Sequence, residues 1–122
     1  MDFNIVKRQI IYEYISLYGT DKPEGEWSLE DCLSIFKYYY KTYKKVLGVD
    51  HPHLSNRTIR EILENIRVVQ IPQSNNYFDI PPEDYEEIID AYFQQDFDDC
   101  NYSIAHFMSG NIRALRIYEK LY

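Results

Sequence analysis

The chain has 122 residues, 45% of them hydrophobic and 27% charged, and its formal net charge is −7. This length suits one domain with an apolar core, and the composition excludes an intrinsically disordered chain. No apolar run approaches the roughly 18 residues of a membrane-spanning helix, and the N-terminal stretch lacks the apolar segment of a signal peptide, so a cytoplasmic protein is expected.

The first two predicted helices have clear boundaries. Apolar residues recur at helical spacing from Phe3 to Tyr18, and Gly19 offers an end to that helix. A second helix is predicted from Leu29 to about Leu47, because Ser28 and Asp31 resemble a capping box at its start.

The second helix contains the stretch KYYYKTYKK, residues 37–45, with four tyrosines and four lysines. Such a stretch is either a basic and aromatic platform for nucleic-acid bases or part of an amphipathic helix. At helical spacing Tyr40 and Tyr43 fall on the core side, Tyr39 lies at its edge, and Tyr38 faces outward beside the lysines. The platform is thus reduced to a small basic and aromatic patch, and we favour the alternative, an ordinary solvated helix face.

A third helix and a β-hairpin are predicted next. Ser55 can cap the helix, and residues 68–80 alternate as two short strands around the turn PQSNN. This order resembles a winged helix, in which the third helix enters the major groove of DNA and offers side chains that suit base edges. The long second helix, Pro52 in the connector and the negative net charge oppose this interpretation. Its DNA-facing residues would be Asn56, Arg57, Arg60 and Arg67, with Ser74, Asn75 and Asn76 at the wing tip.

Three more helical segments are predicted towards the C-terminus. Pro82 suits the first turn of a helix that covers residues 83–95, a short helical piece covers residues 102–108, and a last helix follows Gly110. The complete prediction is a mainly α, single compact domain of residues 1–122, with five or six helices and one small hairpin. In the alternative interpretation its first 80 residues resemble a winged helix.

Charge is unevenly distributed along the chain. Residues 1–70 hold ten Lys and Arg against ten Asp and Glu, whereas residues 71–122 hold three against ten, a balance of −7. Eight of those ten acids lie within residues 83–99, which contain no Lys or Arg. Residues 1–80 are thus near neutral and residues 81–122 acidic. Carboxylates clustered in this way attract basic partners.

The acidic segment leads to the preferred functional hypothesis, a non-catalytic protein-interaction module that binds a basic surface. Carboxylates along a helix can replace phosphates, and aromatic side chains can anchor the contact. Small acidic proteins of phage and mobile elements, including anti-CRISPR proteins, are similar in this general profile, which would make the partner a nucleic-acid-binding protein. A simpler interpretation is that the acids only maintain solubility. The predicted contact residues are Glu83, Asp84, Tyr85, Glu86, Glu87, Asp90, Tyr92, Asp96, Asp98 and Asp99.

Motifs for catalysis or metal binding are weak. The sequence lacks GxSxG, HEXXH and a glycine-rich phosphate loop, so we predict neither enzymatic activity nor a cofactor. His51 and His53 lie close together but lack further ligands at zinc spacing, so no metal site is predicted. Cys32 and Cys100 are expected to be reduced thiols. The oligomeric state stays open, with a homodimer among the alternatives.

Overall fold

The first three helices lie where the sequence predicts them. The computed structural model describes residues 3–21, 27–70, 77–94 and 102–108. Helix α1 covers Phe3–Tyr18, α2 covers Leu29–Leu47 and α3 covers Asn56–Asn65. Among the helices in these ranges, none is long and apolar enough to cross a membrane.

Short-range hydrogen bonds explain these boundaries. The Ser28 hydroxyl accepts a bond from the Asp31 N–H at 3.1 Å, and the Asp31 carboxylate accepts one from the Ser28 N–H at 3.3 Å. The predicted capping box is therefore confirmed. The Ser55 hydroxyl caps α3 by accepting from the Thr58 N–H at 3.1 Å. Gly48 ends α2 with φ of +75°, a conformation that favours glycine.

The remaining elements are shorter. Strands β1 (Val68–Gln70) and β2 (Tyr77–Asp79) pair antiparallel, with Val68 opposite Asp79. A 3₁₀ turn over Pro82–Asp84 leads into α4 (Tyr85–Phe93), and α5 covers Ile104–Phe107. The predicted mainly α class is confirmed, while the predicted turn of the hairpin and the last helix lie outside the described residues.

The helices enclose one core that is rich in aromatic rings. Helix α1 packs against α2 and α3, and α4 packs against α2. Phe36, Tyr39, Tyr85, Tyr92 and Phe107 are fully buried. The predicted position of Tyr39 at the edge of α2 is therefore wrong. It is buried because rings of α4 and α5 cover that side of α2, in addition to α1 on the other side.

Buried tyrosine hydroxyls tie separate elements together. The Tyr39 hydroxyl donates to the Tyr102 carbonyl at 2.6 Å, and the Tyr85 hydroxyl donates to the carbonyl of Ile66. The Tyr14 hydroxyl likewise donates to a backbone carbonyl in the segment before α2. A buried hydroxyl without a partner costs stability, so these bonds favour this arrangement of the aromatic core.

The winged-helix interpretation is not supported. Helix α2 has 19 residues, which is too long for a compact helix-turn-helix unit. Helix α3 lies along α1, and its Asn56 and Arg60 side chains hydrogen-bond to Glu13 and Ser16 of α1 instead of projecting freely. The side of α3 that contains these two side chains is therefore a packing surface.

Candidate functional site

Helix α4 and the turn before it present four exposed carboxylates on one side. We call Glu83, Glu86, Glu87 and Asp90 the acidic face. They line a single shallow depression of the surface, together with Ala91 and Gln94. The opposite side of α4 is apolar and buried in the core. Asp84, at the end of the turn, is half-buried.

The spacing of the acids follows from the helix itself. Residues three and four apart lie on one side of a helix, with Cβ atoms about 5–6 Å apart. Glu83, Glu86 or Glu87, and Asp90 satisfy this spacing along two turns. Glu86 and Glu87 also occupy the first turn of α4, where the helix dipole favours negative charge.

Three of these carboxylates, Glu83, Glu86 and Asp90, have no ion-pair partner in the described part of the chain. Each like-charged pair three or four residues apart costs about 0.2–0.5 kcal/mol on an exposed helix. This repulsion offsets part of the stabilisation that the helix dipole gives Glu86 and Glu87.

One edge of the acidic face meets α2. The Tyr38 hydroxyl donates to the Asp90 carboxylate at 2.7 Å. Burial, this hydrogen bond and the negative charges of Asp90 and Glu86 raise the pKa of Tyr38 to about 12, so the hydroxyl stays protonated at neutral pH. Lys41 and Lys45 line the groove between the two helices beside Asp90. The negative surface thus ends at a basic and aromatic border.

Sequence reasoning placed Tyr38 with the lysines but missed its bond to Asp90. The two residues are 52 positions apart, and only the packing of α4 on α2 brings them together. No local pattern in the sequence indicates this contact.

Two predicted contact residues must be corrected. Tyr85 and Tyr92 have no exposed surface, so neither can touch a partner while the protein is folded. They face inward because they share the inner side of α4 with Ile88 and Ile89. Three further predicted contact residues, Asp96, Asp98 and Asp99, lie outside the described residues.

The residues of the DNA-binding alternative do not form an open basic surface. Arg57 pairs with Glu61 at 3.3 Å and Arg67 pairs with Asp79 at 3.2 Å. Arg60 lies 3.4 Å from Glu64 of its own helix and 3.6 Å from the buried Glu13 of α1. The Asn56 amide donates to Glu13 at 3.3 Å and accepts from Gln9 at 2.7 Å. A phosphate would have to compete with carboxylates that already occupy these side chains.

The two histidines of the α2–α3 connector have different environments. His51 is buried and both of its ring nitrogens have backbone partners, so it cannot bind a metal ion in this conformation. His53 is exposed. Within the described ranges, no group of three or more His, Cys, Asp or Glu side chains converges in a way that could hold a metal ion. Cys32 is buried on α2, and Cys100 lies outside those ranges.

Comparison with known proteins adds no further guide to the acidic face. No protein-family model, curated protein or solved structure matches the chain.

Proposed function

We propose that the protein is a non-catalytic interaction module whose acidic face binds a basic surface of another protein. The observation that carries this proposal is the row of exposed carboxylates on one side of α4. Three of them, Glu83, Glu86 and Asp90, have no ion-pair partner among the described residues. A basic partner could therefore pair with them without first displacing a Lys or Arg side chain of the described residues.

A nucleic-acid-binding protein is the partner class that fits this proposal best. Its groove is lined with Lys and Arg side chains that normally contact phosphates in a regular row. A helix repeats its carboxylates about every 5.4 Å, so it can present a comparable row of negative charge. Binding of this kind is fast at low salt and weakens as salt screens the exposed charges.

The basic and aromatic border on α2 would limit how a partner can be oriented on the acidic face. Lys41 and Lys45 lie beside Asp90 in the interhelical groove and would repel the basic residues of a partner that extended past α4. Repulsion at the rim contributes to specificity as much as attraction does. The Tyr38 hydroxyl holds the Asp90 carboxylate at this border.

Capture from the native host, followed by charge reversal, tests the proposal. The tagged protein is expected to retain a basic partner at low salt and to lose it as salt increases. In the isolated complex, Glu86→Lys is expected to weaken binding at least about tenfold, equivalent to about 1.4 kcal/mol. The matched control is Asp21→Lys, which makes the same change in net charge at an exposed position outside the acidic face.

The outcomes separate the proposal from its competitors. Equal loss of binding for Glu86→Lys and Asp21→Lys would indicate a nonspecific effect of net charge, and unchanged binding for Glu86→Lys would refute the proposal. A gel shift with duplex DNA that disappears in the double variant R57E/R60E would instead support DNA binding through α3.

A further inference from the structure

His51 lies at the junction between α2, the α2–α3 connector and α5. Its side chain is buried, with 3% of the residue exposed. Its Nδ1 lies 2.7 Å from the Pro52 carbonyl, and its Nε2 accepts a hydrogen bond from the Ile104 N–H at 3.0 Å. The Ile104 amide can only donate and the carbonyl can only accept. The ring must therefore be neutral, with its proton on Nδ1.

Aromatic rings surround His51, and no carboxylate of the described residues acts on its imidazole. From α2, Tyr40 stacks on the imidazole with ring centroids 4.4 Å apart, and Tyr43 contacts it edge-on at 4.8 Å. Tyr39 lies further away, with its centroid at 6.0 Å. The adjacent carboxylate, Asp50, is exposed and pairs with Lys44.

Burial is the main influence on the pKa of the His51 imidazole. It lowers the pKa of His51, and the hydrogen bond to the Pro52 carbonyl opposes this effect only in part. The contact from α5 is the Ile104 backbone amide, which carries no negative charge.

Helix α5 depends on such contacts because it is a single turn of four residues. A helix of this length is not stable by itself. Besides the bond from Ile104 to His51, the Tyr39 hydroxyl bonds to the Tyr102 carbonyl at 2.6 Å, and the Tyr92 hydroxyl lies 2.8 Å from Nδ1 of His106. Tyr102 adopts φ of +56°, a strained conformation for a residue other than glycine.

We propose that His51 is a pH-sensitive latch, and that its protonation weakens the docking of α5 while α1 to α4 stay folded. A protonated imidazole carries an N–H on both nitrogens. Its Nε2–H would then face the Ile104 N–H, so two donors would oppose each other where one hydrogen bond exists now. The hydrogen bond between Ile104 and His51 is then lost, and the backbone strain at Tyr102 favours the release of α5.

The sign of the pH effect follows from the two states of His51. The docked state binds a proton less readily than the open state, in which the imidazole is solvated and titrates near 6.5. Docking is therefore complete above that pH and weakens as the pH falls below it. Between pH 7.5 and 5.0 the opening equilibrium increases by up to about 30-fold, the limit reached if the docked state binds no proton.

Release would expose apolar surface that is now in the core. Ile104 and Phe107 have no exposed area in the docked state. The Phe107 ring contacts Tyr39 of α2 and Tyr92 of α4, with centroids 5.5 and 5.2 Å away. Acidification would thus uncover an aromatic surface shared by α2 and α4.

Amide hydrogen exchange measured by NMR tests the latch. Protection factors, corrected for the intrinsic effect of pH, are compared at pH 7.5 and 5.0. We expect protection at Ile104 and Phe107 to fall by up to about 30-fold, while the amides inside α1 and α3 change less than threefold. In His51→Gln, whose amide oxygen can accept from Ile104 but does not titrate, α5 protection is expected to lose its pH dependence.

Two controls identify the titrating group. His53→Gln changes an exposed histidine of the same connector, and His106→Gln changes the histidine within α5. The proposal is overturned if α5 protection is independent of pH in the wild type, if it falls together with that of α1 and α3, or if His106→Gln rather than His51→Gln removes the effect. If His51→Gln does not fold, the wild-type protein alone can test the latch. In that case the NMR signals of the His51 ring must titrate over the same pH range in which Ile104 loses protection, and the proposal is overturned if they do not.

Discussion

Replacing either of two adjacent tyrosines of α2 by phenylalanine is expected to change the stability of the fold in opposite directions. Tyr39 and Tyr40 are both buried, but only the Tyr39 hydroxyl has a partner among the described residues, the Tyr102 carbonyl at 2.6 Å. The Tyr40 hydroxyl is sealed from solvent without one. Burial raises the pKa of Tyr40, so this hydroxyl remains a neutral, unused donor. Removing the hydroxyl therefore breaks a bond at one position and relieves a desolvation cost at the other.

The magnitudes follow from the two environments. Tyr39→Phe removes one neutral hydrogen bond to a half-buried carbonyl, and we expect a loss of about 1 kcal/mol. Tyr40→Phe removes a buried polar atom that gave up its hydrogen bonds to water on folding, so we expect a gain of about 1 kcal/mol. Because both rings keep their volume and packing, the two variants should differ by about 2 kcal/mol.

Urea denaturation measures this difference. Trp27 is the single tryptophan and is buried, so its fluorescence reports unfolding, with far-UV circular dichroism as a second probe. The comparison is valid if the m-value is unchanged between variants. Tyr12→Phe is the control, since Tyr12 is 67% exposed and should shift stability by less than about 0.5 kcal/mol. If Tyr40→Phe destabilised the protein as much as Tyr39→Phe, the assignment of an unpartnered Tyr40 hydroxyl would be refuted.

Three further predictions concern a cap, an ion pair and a shifted pKa. Gly48→Ala should cost about 1 kcal/mol through its φ of +75° alone, because the added Cβ would meet no atom within 4 Å beyond the adjoining backbone and chain neighbours. Gly48→Asn should cost less in the same urea assay. Arg60→Gln should cost about 1–2 kcal/mol of stability, because it leaves the buried Glu13 carboxylate without its cation. The double variant E13Q/R60Q should recover part of that loss. If the double-mutant cycle shows no recovery, the pairing of Arg60 with Glu13 is contradicted. Asp90→Asn should lower the pKa of Tyr38 from about 12 in a ¹³C NMR titration, while burial and Glu86 keep it above its ordinary value. A raised tyrosine pKa stabilises the fold below pH 10, and this stabilisation is lost as the pH rises towards 12. Asp90→Asn should therefore reduce the loss of stability at alkaline pH. An unchanged titration of Tyr38 would rule out its contact with Asp90.

Sequence reasoning located the candidate site only in part. The exposed carboxylates of α4 follow from helical spacing, because the apolar residues of that helix must face the core. The same spacing places Tyr85 and Tyr92 on the inner side of α4 with Ile88 and Ile89, which conflicts with their prediction as contact residues. Their selection as contact residues weighted the chemistry of tyrosine above its position in the helix.

The DNA-binding alternative shows a second limit of sequence reasoning. Arg57 and Arg60 look available in the sequence, and their partners at the fourth position along the helix, Glu61 and Glu64, are visible there too. The approach of Glu13 from α1 is not visible, because it depends on how α1 crosses α3. That crossing converts one side of α3 into a packing surface.

The boundaries of α1 to α3, the caps at Ser28 and Ser55, and the charge of α4 could be predicted from the sequence, because each depends on residues only a few positions apart. Tertiary structure alone decided that Tyr39 is buried, that Tyr38 contacts Asp90, and that His51 is enclosed and bonded to Ile104. These contacts join residues that are more than 50 positions apart. Their existence depends on how whole helices pack around shared aromatic rings, which short-range periodicity does not encode.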